Sequence, residues 1–327
     1  MKISTISKWS VLPILLTLMA VSSCKKNFLD RRPLGRLTDE DIEAGTFDGK
    51  VFAAYAQLRK GGFNHHLYLG ITSYRSDESM KGSSTSDGSN AEKMYDDFDY
   101  TATDGGIQEF WTDHYSLIIA TNEIISDIDS LGAQDPNTLI NRAEAKFLRA
   151  YSFFELTRAF GRVPKIDFKV YDPADVNIKK VDDVNEIFTL IDADLTEAEG
   201  TLPVNWDPPY SEGRLTKGAA YALHARTQLW RSNWAMGLAA AKAVIDLGRY
   251  SLVPDYGSQF RKTGENGPES IFEIQAYYTP TQDLGIIYSN VQGVRGAGNW
   301  DLGWGWNVPT QKLVDEYEEG DPRRVET

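Results

Sequence analysis

The sequence predicts an all-α dominated fold with long irregular loops and minor β structure, and three observations favour this class. Apolar residues recur every three to four positions through several long segments. Glycine or proline follows most of these segments, where helices normally end. Residues 216–248 form an Ala-rich helical hairpin of about 32 residues, a length typical of tetratricopeptide-type repeats. The sequence therefore predicts degenerate tetratricopeptide-like helical repeats.

Each helix can be placed from its caps and its apolar face. Thr46 is a candidate N-cap for the first helix, which Gly61-Gly62 ends. Asp135-Pro136 begins a long helix with proline in its first turn. Asp182 or Asp183 caps a later helix that ends at Gly200. The predicted helices cover residues 47–60, 107–131, 136–160, 184–200, 217–231 and 234–247, with a short last helix after the cap Thr310.

The remaining segments do not have a helical pattern. Residues 72–103 are rich in Ser, Asp and Gly and are expected to be a loop, a length that usually indicates function or disorder. Residues 270–279 have the composition of a strand. Residues 293–307 are rich in Gly and Trp and cannot form a regular helix.

The N-terminus has the layout of an export signal. Lys2 and Lys8 precede an apolar run over residues 11–21, and two serines then precede Cys24, the only cysteine of the chain. A cysteine at this place resembles the lipobox of a bacterial lipoprotein, where cleavage leaves the cysteine as the lipid-bearing N-terminus. The alternative is a chance cysteine beside an ordinary cleavage site. The predicted organisation is a lipoprotein signal peptide over 1–23, a lipid anchor and tether over 24–46, a helical domain over 47–250 that contains the 72–103 loop, and a loop-rich ligand-binding segment over 251–327.

Composition excludes several classes of function. The 327-residue chain has a formal net charge of −13, and removal of residues 1–23 takes away two lysines and no acid. Such a charge opposes binding to nucleic acid or to anionic lipid heads. With Cys24 lipidated, no thiol remains for a disulfide, a cysteine nucleophile or a Cys-ligated zinc. The 8 Trp, 16 Tyr and 14 Phe are numerous enough that some are expected on the surface or in clefts.

Several blocks in order give the chain its resemblance to the SusD/RagB family of surface nutrient-binding lipoproteins. The most specific is AEAKFLRAYSFFELTRAFGRVP over residues 143–164; the others are CKKNFLDRRPLG, WTDHYSLIIATNEII, GRLTKGAAYALHARTQLW, ESIFEIQ and WNVPTQKLVDEYEEGDPRR. The resemblance covers essentially the whole chain, although family members usually continue past the last block, so the chain resembles a C-terminally truncated form.

The resemblance implies a non-enzymatic, lipid-anchored protein of the outer membrane, exposed at the cell surface and carrying palmitate or a similar acyl group on Cys24. It implies capture of an oligosaccharide, or of a peptide as in RagB-type members. The captured ligand would be handed to a TonB-dependent barrel transporter of the SusC type. A repeat scaffold that only docks protein partners is the main alternative from another class, and a surface hydrolase is a further one. No cofactor is expected.

Candidate ligand residues follow from the chemistry of sugars, whose C–H faces stack on aromatic rings while their hydroxyls bind amides and carboxylates. The glycine-rich segment after residue 298 presents such groups, and the end of the predicted strand and the 76–99 loop add others. An alternative places the two last tryptophans in the core. The candidates are Asn299, Trp300, Asp301, Trp304, Trp306, Tyr277, Tyr278, Asn90 and Tyr95.

Other polar groups have structural interpretations. Tyr74, Arg75, Asp77 and Glu78 resemble a shared family feature, and we expect an Arg–carboxylate bond there to fix the loop. Asp96, Asp97 and Asp99 offer oxygens for Ca²⁺, but their spacing is not that of an EF-hand, and a solvated loop is the favoured interpretation. No HExxH or Gly-x-Ser-x-Gly motif occurs.

Overall fold

A computed structural model describes residues 47–84, 87, 94–132, 134–208, 212–296, 298–301 and 303–326. The predicted signal peptide, Cys24, the tether and Asn90 lie outside the described residues. The expected division at residue 250 stays a prediction. Among the described helices, none is both long enough and apolar enough to cross a bilayer.

The described chain is mainly helical, which confirms the predicted fold class. The α-helices whose bounds both lie within the described residues are α1 (Asp48–Gln57), α2 (Gly61–Asn64), α3 (His66–Thr72), α4 (Gly105–Leu131), α5 (Pro136–Phe160), α6 (Asn185–Thr201), α7 (Lys217–Trp230), α8 (Trp234–Asp246), α9 (Tyr288–Gln292) and α10 (Gln311–Asp315). The strands in the same part of the chain are short: β1 (Ser79–Gly82), β2 (Tyr277–Thr279), β3 (Gln282–Leu284) and β4 (Trp306–Pro309).

Local capping explains the ends of the long helices. The side chain of Asp104 accepts hydrogen bonds from the backbone N–H groups of Gly106 and Ile107 at the start of α4. Gly132 ends the same helix with φ of 58°, a left-handed conformation that glycine adopts without a Cβ penalty. Asp135 and Thr216 cap α5 and α7 as predicted, by accepting from the third residue beyond each.

The long helices pack in chain order, each against the next, from α4 to α8. Their contact faces alternate small and large residues, and Ala143, Ala145 and Ala150 on α5 are completely buried. Small residues let neighbouring helix backbones approach closely, while Leu148 and Phe153 fill the space between them. This succession of packed pairs is the predicted array of helical repeats.

The structure corrects three sequence predictions. The 72–103 stretch contains strand β1, which pairs antiparallel with β4 through Met80 opposite Val308. The predicted 270–279 strand is formed only at its end, where β2 pairs with β3. Gly61-Gly62 does not simply end a helix, because α2 starts at Gly61. Glycine at position 62 lets α2 lie close to α4, since a Cβ there would lie 2.9 Å from the Asp113 side chain.

Candidate functional site

Trp306, a predicted ligand residue, belongs to the protein core. Its side chain is 4% exposed and packs in a cluster with Leu69, Tyr74 and Val291. Its Nε1 donates to Oδ2 of Asp87 at 3.1 Å, and the Lys81 ammonium lies 4.5 Å from its ring centroid. The structure therefore places Trp306 in the core, as the alternative describes, and a ligand role for it stays a prediction.

Asp87, which follows β1, contacts this core through Trp306. Its carboxylate accepts hydrogen bonds from Ser83 and Trp306 and pairs with Arg295. These hydrogen bonds, the one from Ser83 first, lower the pKa of Asp87 to about 2. The carboxylate is therefore ionised at neutral pH, and it joins Ser83, which directly follows β1, to Arg295 in the segment after α9.

Tyr95 is likewise structural. Its ring is 1% exposed, and its hydroxyl donates to Asp104, the carboxylate that caps α4. Gly70 on α3 lies against the ring, with no room for a Cβ. A ring covered to this extent offers little surface for stacking, but Tyr95 also lines the large opening described below, and its ligand role stays a prediction.

The other predicted residues divide into two groups. Trp304 is half-buried and lies 5.1 Å from Trp306 and 6.0 Å from His66, measured between ring centroids. Asn299 and Asp301 are exposed, and Oδ1 of Asp301 accepts from the Gly296 backbone at 2.8 Å. These residues stay candidates. The side chains of Tyr277, Tyr278 and Trp300 lie outside the described part of the structure, so their ligand roles stay predictions.

The expected Arg–carboxylate bond within residues 74–78 is wrong. Asp77 pairs with Lys312 at 2.7 Å, because pairing of β1 with β4 brings the start of α10 beside it. Thr310 fixes this approach by donating through its backbone N–H to Glu78 O at 2.9 Å and through its hydroxyl to Asp77 O at 2.6 Å. The Arg75 guanidinium lies instead over the Tyr100 ring, at 5.5 Å from the centroid.

Arg75 and Tyr100 are part of a large opening that we call the aromatic cleft. It has a volume of about 740 Å³ and lies between the end of α3, the segment before α4 and the end of α5. This volume falls within the range of small-molecule sites. The residues that give it its chemistry are Ile71, Arg75, Tyr100, Gln108, Trp111 and Phe160.

Helix ends position the aromatic groups of this cleft. Trp111 lies in the second turn of α4, and Phe160 is the last residue of α5. Their rings meet edge to face at 5.1 Å, and Trp111 also lies 4.8 Å from Tyr115. The Tyr115 hydroxyl donates to Pro164 O at 2.7 Å, which ties this side of α4 to the segment after α5. Both Trp111 and Phe160 are half-buried, so each retains an accessible surface.

Polar groups surround these rings. Arg75 and Gln108 are exposed, and Thr101 and Thr103, whose hydroxyls lie 3.1 Å apart, also line the cleft. Arg75 makes no ion pair with any described residue, and its guanidinium lies over the rings of Phe98 and Tyr100, at 5.7 and 5.5 Å from their centroids. An aromatic wall with hydrogen-bonding groups at its rim suits a ligand that has both apolar faces and hydroxyls.

Sequence reasoning missed Trp111, Phe160 and Tyr100 as a group. The three-to-four spacing of α4 assigns Trp111 to its apolar face, which is correct for the helix but does not show that the ring lies at the edge of the core. In the described part of the chain, no group of three or more His, Cys, Asp or Glu side chains is placed to hold a metal ion.

These features define a helical-repeat protein with an aromatic cleft at one edge of the array. A family model, SusD-like, described as "Starch-binding associating with outer membrane", matches residues 27–229, well over half of the chain. The chain therefore belongs to the SusD-like family.

Among its relatives, SusD-like protein P2 of Formosa agariphila is 27% identical over 97% of this chain and 63% of its own length. A SusD-like protein of Bacteroides ovatus is 24% identical over 82% of this chain and 50% of its own. The chain thus spans between half and two thirds of the length of these relatives.

Solved structures share the fold. Surface glycan-binding protein A of Bacteroides thetaiotaomicron, solved in complex with laminarihexaose, has a TM-score of 0.71 at 23% identity; it matches over 88% of this chain and 62% of that one. A structure described as a laminarin binding SusD-like protein has a TM-score of 0.69 at 23% identity, over 89% of this chain and 66% of that one.

Proposed function

We propose that this protein binds oligosaccharides at the aromatic cleft without cleaving them. The carrying observation is the cleft itself, where the half-buried rings of Trp111 and Phe160 lie beside Arg75, a cation with no ionic partner among the described residues. Two solved structures with the same fold are described as binding laminarihexaose or laminarin, which agrees with this ligand class.

The expected mode of binding is stacking combined with hydrogen bonds. A sugar ring stacked on Trp111 gains about 0.5–1.5 kcal/mol beyond the burial of area, if aromatic pairs are the guide. Arg75, Gln108 and the threonines then bond the hydroxyls that the stacked ring presents at its edge. Two or three such contacts give modest affinity, which suits capture followed by release.

Calorimetry with defined oligosaccharides tests the proposal. Laminarihexaose and maltohexaose are titrated into the wild-type protein and into Trp111→Ala. We expect at least one of the two sugars to bind, and Trp111→Ala to weaken its binding about tenfold or more. Trp234→Ala is the matched control, because Trp234 is 64% exposed on α8 and does not line the cleft. Equal affinity of the two variants would contradict the proposed site.

The alternative ligand is a peptide, as in RagB-type proteins. Titration with mixed oligopeptides under the same conditions separates the two. Binding of peptides, with no heat from any of a panel of glucans, xylans and mannans, would replace the sugar by a peptide in the proposal.

We also propose that the protein is anchored to the outer membrane through acyl chains on Cys24 and delivers its ligand to a SusC-like TonB-dependent transporter. The lipobox-like sequence and the outer-membrane description of the family support this. Cys24→Ala is expected to move the protein out of the membrane fraction while the soluble protein keeps its sugar affinity. Affinity purification from membranes is expected to recover a barrel transporter; several partners without one would favour the scaffold alternative.

We also propose that the protein does not cleave its ligand and that binding requires no metal ion. Prolonged incubation of pure protein with the bound oligosaccharide is expected to release no new reducing ends. Removal of divalent cations with EDTA is expected to leave the affinity unchanged. Turnover that disappears on changing a pair of carboxylates would establish the hydrolase alternative.

A further inference from the structure

A second cavity lies away from the aromatic cleft and shares no lining residue with it. It has a volume of about 310 Å³ and is lined by Asn205 and residues within 212–216 from between α6 and α7, by Arg249 and Tyr250 after α8, and by residues within 266–273. We call it the polar pocket. Its volume is at the lower limit for ligand sites, which suits one small molecule such as a single sugar ring.

Hydrogen bonds and an ion pair fix several of the residues that line the polar pocket. Arg214 forms a two-pronged pair with the buried Glu144, with Nε–Oε1 at 2.9 Å and Nη2–Oε2 at 2.5 Å. The Tyr250 hydroxyl and Thr216 Oγ1, at the cap of α7, are 3.1 Å apart. Arg249 donates through Nη1 to Val204 O at 3.2 Å. A site fixed in this way loses little freedom when a ligand binds.

Hydrogen-bonding capacity remains at the pocket after these contacts. Within the described residues, Arg249 bonds only through Nη1, so Nε and Nη2 have no partner. Glu273 accepts from the Asn266 backbone through Oε1 at 2.9 Å, and Oε2 has none. Glu212 accepts one long hydrogen bond through Oε2, from Asn266 Nδ2 at 3.5 Å. A cavity lined by residues that retain both donors and acceptors matches hydroxyl groups, which both donate and accept.

Charge narrows the class of ligand. Arg214 and Glu144 neutralise each other, which leaves Arg249 and the carboxylates of Glu212 and Glu273 as the other charged groups that line the pocket. These three groups have a net charge of about −1, which disfavours binding of phosphate or sulfate. The positive guanidinium of Arg249 disfavours binding of a metal cation. Tyr250 and Phe272 supply ring surface to the same walls. A neutral, hydroxyl-rich ligand satisfies all of these conditions.

We propose that the polar pocket is a second sugar site, which takes a neutral monosaccharide or the terminal residue of an oligosaccharide. This inference does not depend on the aromatic cleft, because a different set of residues forms the site. Saturation-transfer NMR detects weak ligands directly, and methyl β-D-glucopyranoside is the probe. The measurement is made in the Trp111→Ala background, which weakens binding at the aromatic cleft, so that the loss of signal on altering the polar pocket reports that pocket.

The variants target the free acceptors. In the Trp111→Ala background, we expect a clear signal from the methyl glucoside and a loss of at least fivefold on adding Glu212→Gln and Glu273→Gln together. Asn205→Ala is a second, milder test and is expected to lower the signal about twofold or more. Glu265→Gln, an exposed acid outside the pocket, is the matched control and is expected to change nothing. Equal melting temperatures of these proteins show that folding is intact.

Several outcomes overturn the proposal. The signal could be absent already in the Trp111→Ala background, or it could survive both glutamine substitutions in a folded protein. Calorimetric binding of CaCl₂ that the double glutamine variant abolishes would make the pocket a cation site instead. Loss of laminarihexaose binding in Trp111→Ala alone leaves the second site standing, so failure of either proposal is distinguishable from failure of the other.

Discussion

Arg149 on α5 forms a two-pronged ion pair with Asp194 on α6, with Nε–Oδ2 at 2.7 Å and Nη2–Oδ1 at 2.8 Å. Both side chains are buried, the arginine 5% and the aspartate 1% exposed. The remaining prong, Nη1, donates to Asn122 Oδ1 on α4 at 2.8 Å, and Asn122 Nδ2 donates to Ile166 O at 2.7 Å. One guanidinium therefore joins three successive helices of the array.

Removing one partner of this pair is expected to destabilise the protein strongly. Asp194→Asn leaves the Arg149 charge buried without its counter-ion, and breaking a buried pair in this way costs about 3–5 kcal/mol. The free energy of unfolding, measured with urea, is expected to fall by that amount. The double variant Arg149→Met/Asp194→Leu is expected to lose less than Asp194→Asn alone, because it leaves no uncompensated charge.

Lys312 and Asp77 provide the matched control for this prediction. They also form an ion pair, at 2.7 Å, but their side chains are 64% and 82% exposed. Solvent screens such pairs, so Lys312→Met is expected to leave the urea midpoint unchanged. If Asp194→Asn were as mild as Lys312→Met, the buried network would not be what joins the helices.

Trp306→Ala tests the core position of this tryptophan. Truncating a buried aromatic side chain costs about 3–5 kcal/mol, and here it also removes the Nε1 donor from Asp87 and the ring under Lys81. We expect a marked fall in melting temperature and in the urea midpoint. The exposed Trp234→Ala is expected to change the free energy of unfolding by less than about 0.5 kcal/mol. A Trp306→Ala protein of normal stability with weakened sugar binding would restore the ligand interpretation.

His114 is expected to reduce stability at acid pH. Its ring lies 4.2 Å from both Phe63 and Phe110, and its Nδ1–H donates to Phe110 O at 2.8 Å. Burial lowers the pKa of His114 to about 4, so the unfolded chain takes up a proton first. Its contribution is complete above pH 6.5 and is lost as pH falls from 6.5 towards 4, by about 3 kcal/mol.

The measurement compares urea unfolding at pH 7 and pH 4 in wild type and in His114→Phe, which keeps an aromatic ring but cannot titrate. Carboxylates also titrate in this interval, so the difference between the two proteins isolates the histidine. We expect the wild type to lose more stability than the variant. Parallel losses would mean that His114 is not the acid-sensitive group.

Local sequence signals predicted the long helices well. The features that they did not predict depend on contacts between residues that are far apart in the chain. The caps at Asp135 and Thr216 depend on residues three positions away, which a sequence displays directly. Asp87 and Trp306 are 219 residues apart, and no local pattern indicates that a strand pair brings them together. Trp111 occupies an apolar position of its helix whether its ring lies in the core or at the edge of a cleft. Only the meeting of α4 with the end of α5 makes it a cleft residue.

His224 on α7 is expected to reduce stability at alkaline pH, in contrast to His114. Burial alone would lower its pKa, but hydrogen bonds to Asp192 and Glu199, and their charges, outweigh burial and raise the pKa of His224 to about 9. Its contribution is therefore complete below pH 6.5 and is lost as pH rises from 6.5 through 9. The Asp192 side chain is 31% exposed, so solvent screening reduces the loss of stability to about 1–2 kcal/mol.

Urea unfolding of wild type and His224→Gln at pH 6 and pH 9.5 measures this loss. The wild type should lose more than the variant, and 0.5 M salt should narrow the gap; equal losses in the two proteins would show that the histidine is uncharged in the folded state.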